Sequence, residues 1–449
     1  MTWAVAVGLA LGTAYTLSPL SIWFLAALVG LFAWAGRGLS ERERRFVWGL
    51  LAAAIALRVV AVALLFLASD PHQIGSFFWD GDGAAMKRRS LWIRDVWLGV
   101  PVTPFYFGAA FDRLYGWTTY LYVLAYVQYL LGPAPYAIHL LNVALCMATA
   151  VALYRLVRSA YGPEPALLGF TLLLFLPTPF FWSVSALKES LYLFLAVLAL
   201  IAAVTALRPR PLRARAVALV VLAGSIAAID GVRAGATLIV GLGLAAGFAG
   251  SVIVRRVSLV VLTLVILPFA GHRLWANAEV QARIMSQLKT SAVLHIGNVR
   301  TEGHAYKLLD QRFYSAVDDS ISTMTPVEGL RFAARGVVSF ILVPLPWQVQ
   351  SRSEMVFLAQ QVVWYVLVIF AFVGLIAGLR RDALVTCMLA GLTATGTAVI
   401  ALNSGNIGTM VRHRDTVVPF VVWLSAVGIV ATVSTFVSRS SSRDQHAFD

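Results

Sequence analysis

Trp79-Asp80-Gly81-Asp82-Gly83 lies in a polar segment, residues 70–135, that interrupts a chain otherwise made of long apolar runs. Two carboxylates stand one residue apart here, and three basic residues follow shortly after, from Lys87 to Arg89. A long charged loop after an early membrane helix is a common place for chemistry in a membrane protein. The alternative interpretation is a solvated loop with ordinary surface charges.

The overall composition is that of a membrane protein. Of the 449 residues, 60% are hydrophobic and 12% are charged, and the mean hydropathy is +0.81. Repeated apolar runs of bilayer-spanning length predict an all-α, polytopic fold. The net charge of +14 is first a topology signal, because Lys and Arg collect in cytoplasmic loops. Nothing in the sequence resembles a basic, aromatic-rich nucleic-acid surface. Cys146 and Cys387 lie in apolar runs and are expected to be core residues.

About twelve transmembrane helices are predicted from these runs. Residues 3–36 would be about 50 Å long as one helix, against roughly 30 Å of hydrocarbon, so a hairpin of two short passes is expected. One long tilted helix is the alternative. The other predicted crossings are 47–69, 136–158, 164–182, 191–207, 216–229, 235–253, 257–271, 355–379, 383–402 and 416–436.

The chain divides into six predicted segments: N-terminal transmembrane helices, a first outer loop, a transmembrane core, a second outer region, C-terminal transmembrane helices and a cytoplasmic tail. Their bounds are 1–69, 70–135, 136–271, 272–354, 355–436 and 437–449. The basic blocks 37–45 and 208–215 place their turns in the cytoplasm, which puts the first outer loop outside.

Three segments are expected to lie at the membrane interface. Residues 84–98 combine basic residues with two tryptophans, and residues 117–131 are rich in Tyr and Leu. A full crossing by 117–131 is disfavoured, because it would place Arg155 and Arg158 outside. Residues 331–346 contain two prolines and are interpreted as interfacial or re-entrant.

This topology places three unusual polar groups on the outer face: the Asp80/Asp82 loop, Lys188-Glu189, and Arg412-His413-Arg414. The last group opposes the positive-inside trend, and an anionic headgroup would explain it. The alternative is that the number of predicted crossings is off by one, which would place this cluster on the cytoplasmic side. Three histidines of the second outer region lack metal-ligand spacing and are expected to be surface residues or acceptor contacts. They are His272, His295 and His304.

The arrangement resembles the C-type (GT-C) glycosyltransferases, polytopic enzymes that use polyprenyl-phosphate-linked sugars. Protein O-mannosyltransferases and the aminoarabinose transferase of lipid A are among them. The resemblance rests on four features in chain order: Gly81-Asp82 in the first outer loop, the turn from Tyr154 to Arg158, Glu189 at a helix start, and Arg412-His413-Arg414 before Pro419.

The resemblance implies a multi-pass glycosyltransferase of a bacterial cytoplasmic membrane, with its active site on the outer face. It would transfer a hexosyl or pentosyl group, with inversion, from a polyprenyl-phosphate donor to a glycan, lipid or protein acceptor. Asp82 is the candidate base, with Asp80 and Glu189 as further catalytic candidates. Arg412 and Arg414 are the first candidates to bind the donor phosphate. Behind them stand His413, Lys188 and Arg233.

The resemblance establishes no cofactor, but some C-type enzymes hold a divalent ion with an Asp-x-Asp pair. Asp80, Asp82 and Glu189 are therefore candidate ligands for Mg²⁺ or Mn²⁺. The basic trio at 87–89 is a candidate contact for lipid headgroups. Two other functions stay open: a polymerase or ligase of undecaprenyl-pyrophosphate oligosaccharides, and a lipid-linked sugar transporter. Few mid-span charges and no evident repeat disfavour transport.

Overall fold

The computed structural model describes residues 3–5, 7–8, 19–68, 81–111, 118–133, 137–301, 305–315, 319–348 and 352–446. These residues form helices joined by short connections, with no strand among them and one isolated backbone bridge between Ala305 and Asn406. Several helices begin with proline at or near their first position, where its missing N–H costs no hydrogen bond. The described part of the chain is therefore all-α, as the sequence predicts.

The first half of the chain contains α1 to α10. Their bounds are α1 Pro19–Gly36, α2 Glu41–Ala68, α3 Gly81–Trp97, α4 Pro104–Phe111, α5 Thr119–Leu131, α6 Ala137–Tyr161, α7 Pro163–Phe175, α8 Pro177–Ser183, α9 Glu189–Leu207 and α10 Leu212–Val232.

The second half contains α11 to α20. Their bounds are α11 Ala236–Ile253, α12 Val257–Ala276, α13 Ala278–Val299, α14 Arg312–Ser315, α15 Asp319–Ser322, α16 Pro326–Leu342, α17 Arg352–Arg381, α18 Ala383–Asn403, α19 Ile407–Arg414 and α20 Val418–His446. A short 3₁₀ turn, Pro346–Gln348, follows α16.

Ten of the described helices are long and apolar enough to cross a membrane, or eleven if the bent pair α7 and α8 forms one span. This bears out a multi-pass membrane protein. The helices α1, α2, α6, α9 to α12, α17, α18 and α20, together with the bent pair, match eleven of the predicted crossings. The first limb of the predicted N-terminal hairpin falls largely on residues 9–18, outside the described residues.

The two predicted helices of the first outer loop are present. Helix α3 starts three residues before the predicted bound, and α5 has 13 residues. A helix of that length is about 20 Å long, which is too short for the roughly 30 Å of hydrocarbon. The length of α5 therefore argues against a full crossing.

The chain forms two compact units. Unit 1 comprises residues 1–156 and 170–237, and unit 2 comprises residues 157–169 and 238–449. Within unit 1, α3 packs on α5, and α9 packs on α10. Within unit 2, α17 and α20 cross so closely that a Cβ on Gly374 would lie 1.7 Å from the carbonyl oxygen of Leu424. Only glycine allows this approach, so Gly374 sets the close packing of α17 against α20.

Candidate functional site

Asp82 lies in the first turn of α3 and is exposed. The unpaired N–H groups of a helix N-terminus favour an anionic side chain there and also attract anionic ligands. Asp80 lies outside the described residues, so the Asp-x-Asp pair stays a prediction. No group of three or more His, Cys, Asp or Glu side chains in the described ranges could hold a metal ion. Those ranges alone do not supply a divalent-metal site.

Lys87 is buried in α3 at 1% exposure, so the expected headgroup contact is wrong for this member of the basic trio. Its Nζ lies 3.1 Å from Nε2 of His139 in α6. The other ring nitrogen of His139, Nδ1, lies 2.5 Å from the carbonyl oxygen of Val184. Because a carbonyl only accepts, Nδ1 carries the proton and Nε2 accepts from the lysine. This chain of contacts joins the Asp82 helix to the segment that precedes Glu189.

Asn142 fixes the next part of that segment. It lies three positions after His139, on the same face of α6. Its Nδ2 donates to the carbonyl oxygens of Ser185 at 2.7 Å and Leu187 at 2.8 Å, and its Oδ1 accepts from the Tyr120 hydroxyl at 3.2 Å. Three carbonyls of the irregular backbone before α9 are thus paired with side chains of α6, as burial of such groups requires.

Lys188 and Glu189 follow this fixed segment at the start of α9. Glu189 is 4% exposed and lies in the first turn, where the helix dipole favours a carboxylate. Tyr192, one turn later, contacts the Arg233 guanidinium with 5.8 Å between the guanidinium carbon and the ring centroid. Arg233 itself ends α10. The structure therefore gathers Glu189, Lys188 and Arg233 around one end of α9.

Arg58 is a buried cation that the sequence analysis missed. It lies near the middle of spanning helix α2 with no exposed surface. Its Nε donates to Ser183 Oγ at 2.7 Å, and one terminal nitrogen donates to the Leu174 carbonyl at 2.9 Å. These acceptors belong to the bent pair α7 and α8, which Pro177 interrupts with a bend of 61°. An arginine inside an apolar run was the available sequence signal.

In unit 2, Arg412, His413 and Arg414 form the last turn of α19. Asn406 caps this helix by accepting from Gly408 N–H at 2.8 Å. Arg412 and His413 are half-buried, whereas Arg414 is 3% exposed. The three neighbouring cations therefore have different environments, which a pattern of residue types does not reveal.

Arg414 makes two hydrogen bonds inside unit 2. It donates to Gln361 Oε1 at 2.7 Å and to the carbonyl oxygen of Val343. Its guanidinium carbon lies 5.4 Å from the Phe340 ring centroid and 5.0 Å from that of Trp364. Burial lowers the pKa of Arg414 to about 10, so the side chain remains a cation at neutral pH.

An apolar cavity of about 430 Å³ lies among α16, α17, α18 and α20. Most of its lining is aliphatic or aromatic, and the lining includes Val337, Phe340, Trp364, Phe372, Val421 and Leu424. Phe340 and Trp364 are also the rings that contact Arg414. The cavity therefore lies beside Arg414, one residue of the cationic turn.

A hydrogen-bonded cluster of His295, Tyr306 and Tyr314, called the His295 cluster below, holds the loop before α19. His295 has no exposed surface, so its expected surface position is wrong. Its Nδ1 donates to the Ser404 carbonyl at 2.7 Å, and its Nε2 lies 2.8 Å from the Tyr314 hydroxyl. The Tyr306 hydroxyl donates to the same carbonyl at 2.7 Å. Burial lowers the pKa of His295 to about 4, so the imidazole is neutral at pH 7. His272 is exposed, and His304 lies outside the described residues.

No protein-family model and no curated protein matches this chain. The candidate functional residues form two sets, one in each unit. Within unit 1 these are Asp82, Lys188, Glu189 and Arg233, and within unit 2 they are Arg412, His413 and Arg414.

Proposed function

We propose that this protein is a membrane glycosyltransferase that uses a polyprenyl-phosphate-linked sugar and transfers it, with inversion, to a glycan, lipid or protein acceptor on the extracytoplasmic face. The alternative is a polymerase or ligase of undecaprenyl-pyrophosphate oligosaccharides. The resemblance to C-type glycosyltransferases motivates the reaction class, and it assigns a role to residues within each unit.

The contact between the apolar cavity and the cationic turn carries the proposal. A polyprenyl phosphate has a long apolar chain and an anionic head, so its site needs an apolar channel next to a cation. In unit 2, Phe340 and Trp364 line the cavity and also contact Arg414, which belongs to the cationic turn of α19. Arg412, which is only half-buried, is the side chain of this turn assigned to the phosphate.

The remaining chemistry falls to unit 1. Asp82 accepts the proton of the acceptor hydroxyl as that oxygen bonds to the anomeric carbon of the sugar. The bond between that carbon and the phosphate oxygen breaks, and the phosphate leaves with the electron pair. Its negative charge is then stabilised by cationic side chains. Glu189, buried at the start of α9, is assigned to binding the sugar or acceptor.

Replacing the assigned base is the direct test. In Asp82→Asn, transfer from a polyprenyl-phosphate sugar should fall by about 10²- to 10⁴-fold, because the amide cannot accept the proton. The matched control is Asp95→Asn, whose carboxylate pairs with Arg94 at 2.9 Å in the last part of the same helix. Full activity in Asp82→Asn would exclude it as the base.

Native mass spectrometry of the purified protein separates the two enzymatic alternatives. A co-purified polyprenyl monophosphate, with or without one sugar, supports the transferase. A pyrophosphate-linked oligosaccharide instead supports the polymerase or ligase, and Asp82→Asn should then leave activity unchanged.

A further inference from the structure

The C-terminal end of α16 is held by side chains. The last carbonyls of a helix have no partner within it, and when they are buried another group has to satisfy each of them. Gln361 Nε2 donates to the carbonyls of Ile341 and Leu342, both at 3.2 Å. Trp364 Nε1 donates to Ile341 at 3.1 Å, and the Tyr365 hydroxyl donates to Leu342 at 2.7 Å. Helix α17 thus caps α16 with one of its faces.

Arg414 of α19 adds a third helix to these contacts, and the end of α16 with its partners from α17 and α19 is called the junction below. Arg414 donates to the carbonyl of Val343, the next along the chain, and to the oxygen of Gln361. Its position at the negative end of the α16 dipole favours its charge, and the Phe340 and Trp364 rings cover it. Its two terminal nitrogens have protein acceptors, whereas its buried Nε has no hydrogen-bond partner among the described residues.

The fixed position of Arg414 also fixes Arg412. Residues two apart on a helix lie about 200° apart around its axis, so they occupy different faces. When Arg414 is held between α16 and α17, the rotation of the eight-residue helix α19 is set. The half-buried Arg412 is then kept on another side of that helix.

We propose that Arg414 is a positioning residue that ties α19 to the end of α16, and that Arg412 alone of the two arginines holds the carrier phosphate. This division of roles rests on the proposed function. It differs from the expectation that both arginines contact the phosphate.

A double-mutant cycle tests the division, with the dissociation constant for a polyprenyl monophosphate measured in nanodiscs. Arg412→Gln removes a charged hydrogen-bond donor and should weaken binding by roughly 10- to 100-fold. Arg414→Gln should weaken binding by about tenfold. The double variant should match Arg412→Gln within about twofold, because Arg414 acts only through Arg412. Arg380→Gln, at the other end of α17, removes the same charge and should leave binding unchanged.

Additive losses in the double variant would overturn the proposal, because they would mean that Arg414 contacts the phosphate itself. Unchanged affinity in folded Arg414→Gln would also overturn it, since the role would be structural only. If Arg414→Gln does not fold, Tyr365→Phe replaces it in the cycle. That variant loosens the same junction and should weaken binding by about threefold, but only when Arg412 is present.

Hydrogen exchange without lipid gives a reading that does not depend on the proposed function. Arg414→Gln should raise amide exchange at residues 339–348, whereas Arg412→Gln should not. Equal amide exchange at residues 339–348 in both variants would mean that Arg414 does not hold α19 to the end of α16. If the wild type binds no polyprenyl monophosphate, the proposed function fails, and the exchange result alone then decides whether Arg414 holds the junction.

Discussion

Arg58 in unit 1 and Arg414 in unit 2 have closely similar surroundings. Each donates to a backbone carbonyl at the end of a helix that a proline-containing segment follows, and each also donates to a neutral side chain. Each also lies over an aromatic ring, Phe180 in one case and Phe340 in the other. A broken helix leaves carbonyls without donors, and a buried guanidinium supplies several donors in a fixed geometry.

The two arginines differ in where their helices lie. Arg58 sits within a spanning helix and also donates to the Ala54 carbonyl of its own helix. Arg414 ends a short helix outside the candidate spans, beside two half-buried cations and an apolar cavity. The comparison indicates that burial of a cation is not by itself evidence for a ligand. The neighbouring cation with more exposed surface is the better candidate.

The largest expected effect comes from removing Arg58. Arg58→Met should destabilise the protein by about 3 kcal/mol, because the Leu174 carbonyl and Ser183 lose donors where water is excluded. Denaturation in mixed detergent micelles would measure it. Arg45→Gln, on the exposed start of the same helix, should stay within about 0.5 kcal/mol. A small loss in Arg58→Met would show that the break between α7 and α8 does not depend on this arginine.

The sequence predicts the spans well, because crossing a bilayer needs long apolar runs and these are visible residue by residue. It also predicts α3 and α5 to within a few residues. It does not predict that Lys87 and His295 are buried, since their partners, His139 and the Ser404 carbonyl, lie far away in the chain. The Arg412-His413-Arg414 cluster is equally visible, but its division into half-buried and buried members depends on α16 and α17.

A smaller effect is expected from titration of His295. Its pKa is lowered from 6.5 to about 4 in the folded protein by burial, so the unfolded chain binds more protons between these values. Stability should therefore fall as the pH drops through this window, by about 2 kcal/mol at pH 5 relative to pH 7.5. Unfolding midpoints at the two pH values would measure it.

The control for this titration is His295→Asn, which keeps a donor for the Ser404 carbonyl but does not titrate. It should lose most of the pH dependence, although it is less stable than the wild type at pH 7.5. His272→Asn changes an exposed histidine and should keep the full dependence. If the stability of His295→Asn and that of the wild type depend equally on pH, the His295 cluster does not require a neutral imidazole.

The end of a third helix, α10, tests whether the side chain that donates to unpaired helix carbonyls has to be charged. The buried Thr118 hydroxyl contacts the last carbonyls of α10, Gly231 at 3.1 Å and Val232 at 2.7 Å. Thr118→Val keeps the shape and should cost about 1 kcal/mol, because it removes the donor to those carbonyls and also the N-cap acceptor for Tyr120 N–H at the start of α5. Thr237 offers a matched control, since its hydroxyl contacts the Ile226 carbonyl at 3.1 Å within the body of the same helix.

Thr237→Val should change stability by less than about 0.5 kcal/mol, because an interior helical carbonyl already accepts from the N–H four residues later. A larger loss at Thr118 than at Thr237 would show that the cost depends on the unpaired backbone groups at the two helix ends, of α10 and α5, rather than on the loss of a hydroxyl. Equal losses would instead mean that each hydroxyl stabilises its own packing. The larger effect at Arg58 would then reflect the size of the arginine side chain. Unpaired carbonyls at helix ends would no longer explain why Arg58 and Arg414 have similar surroundings.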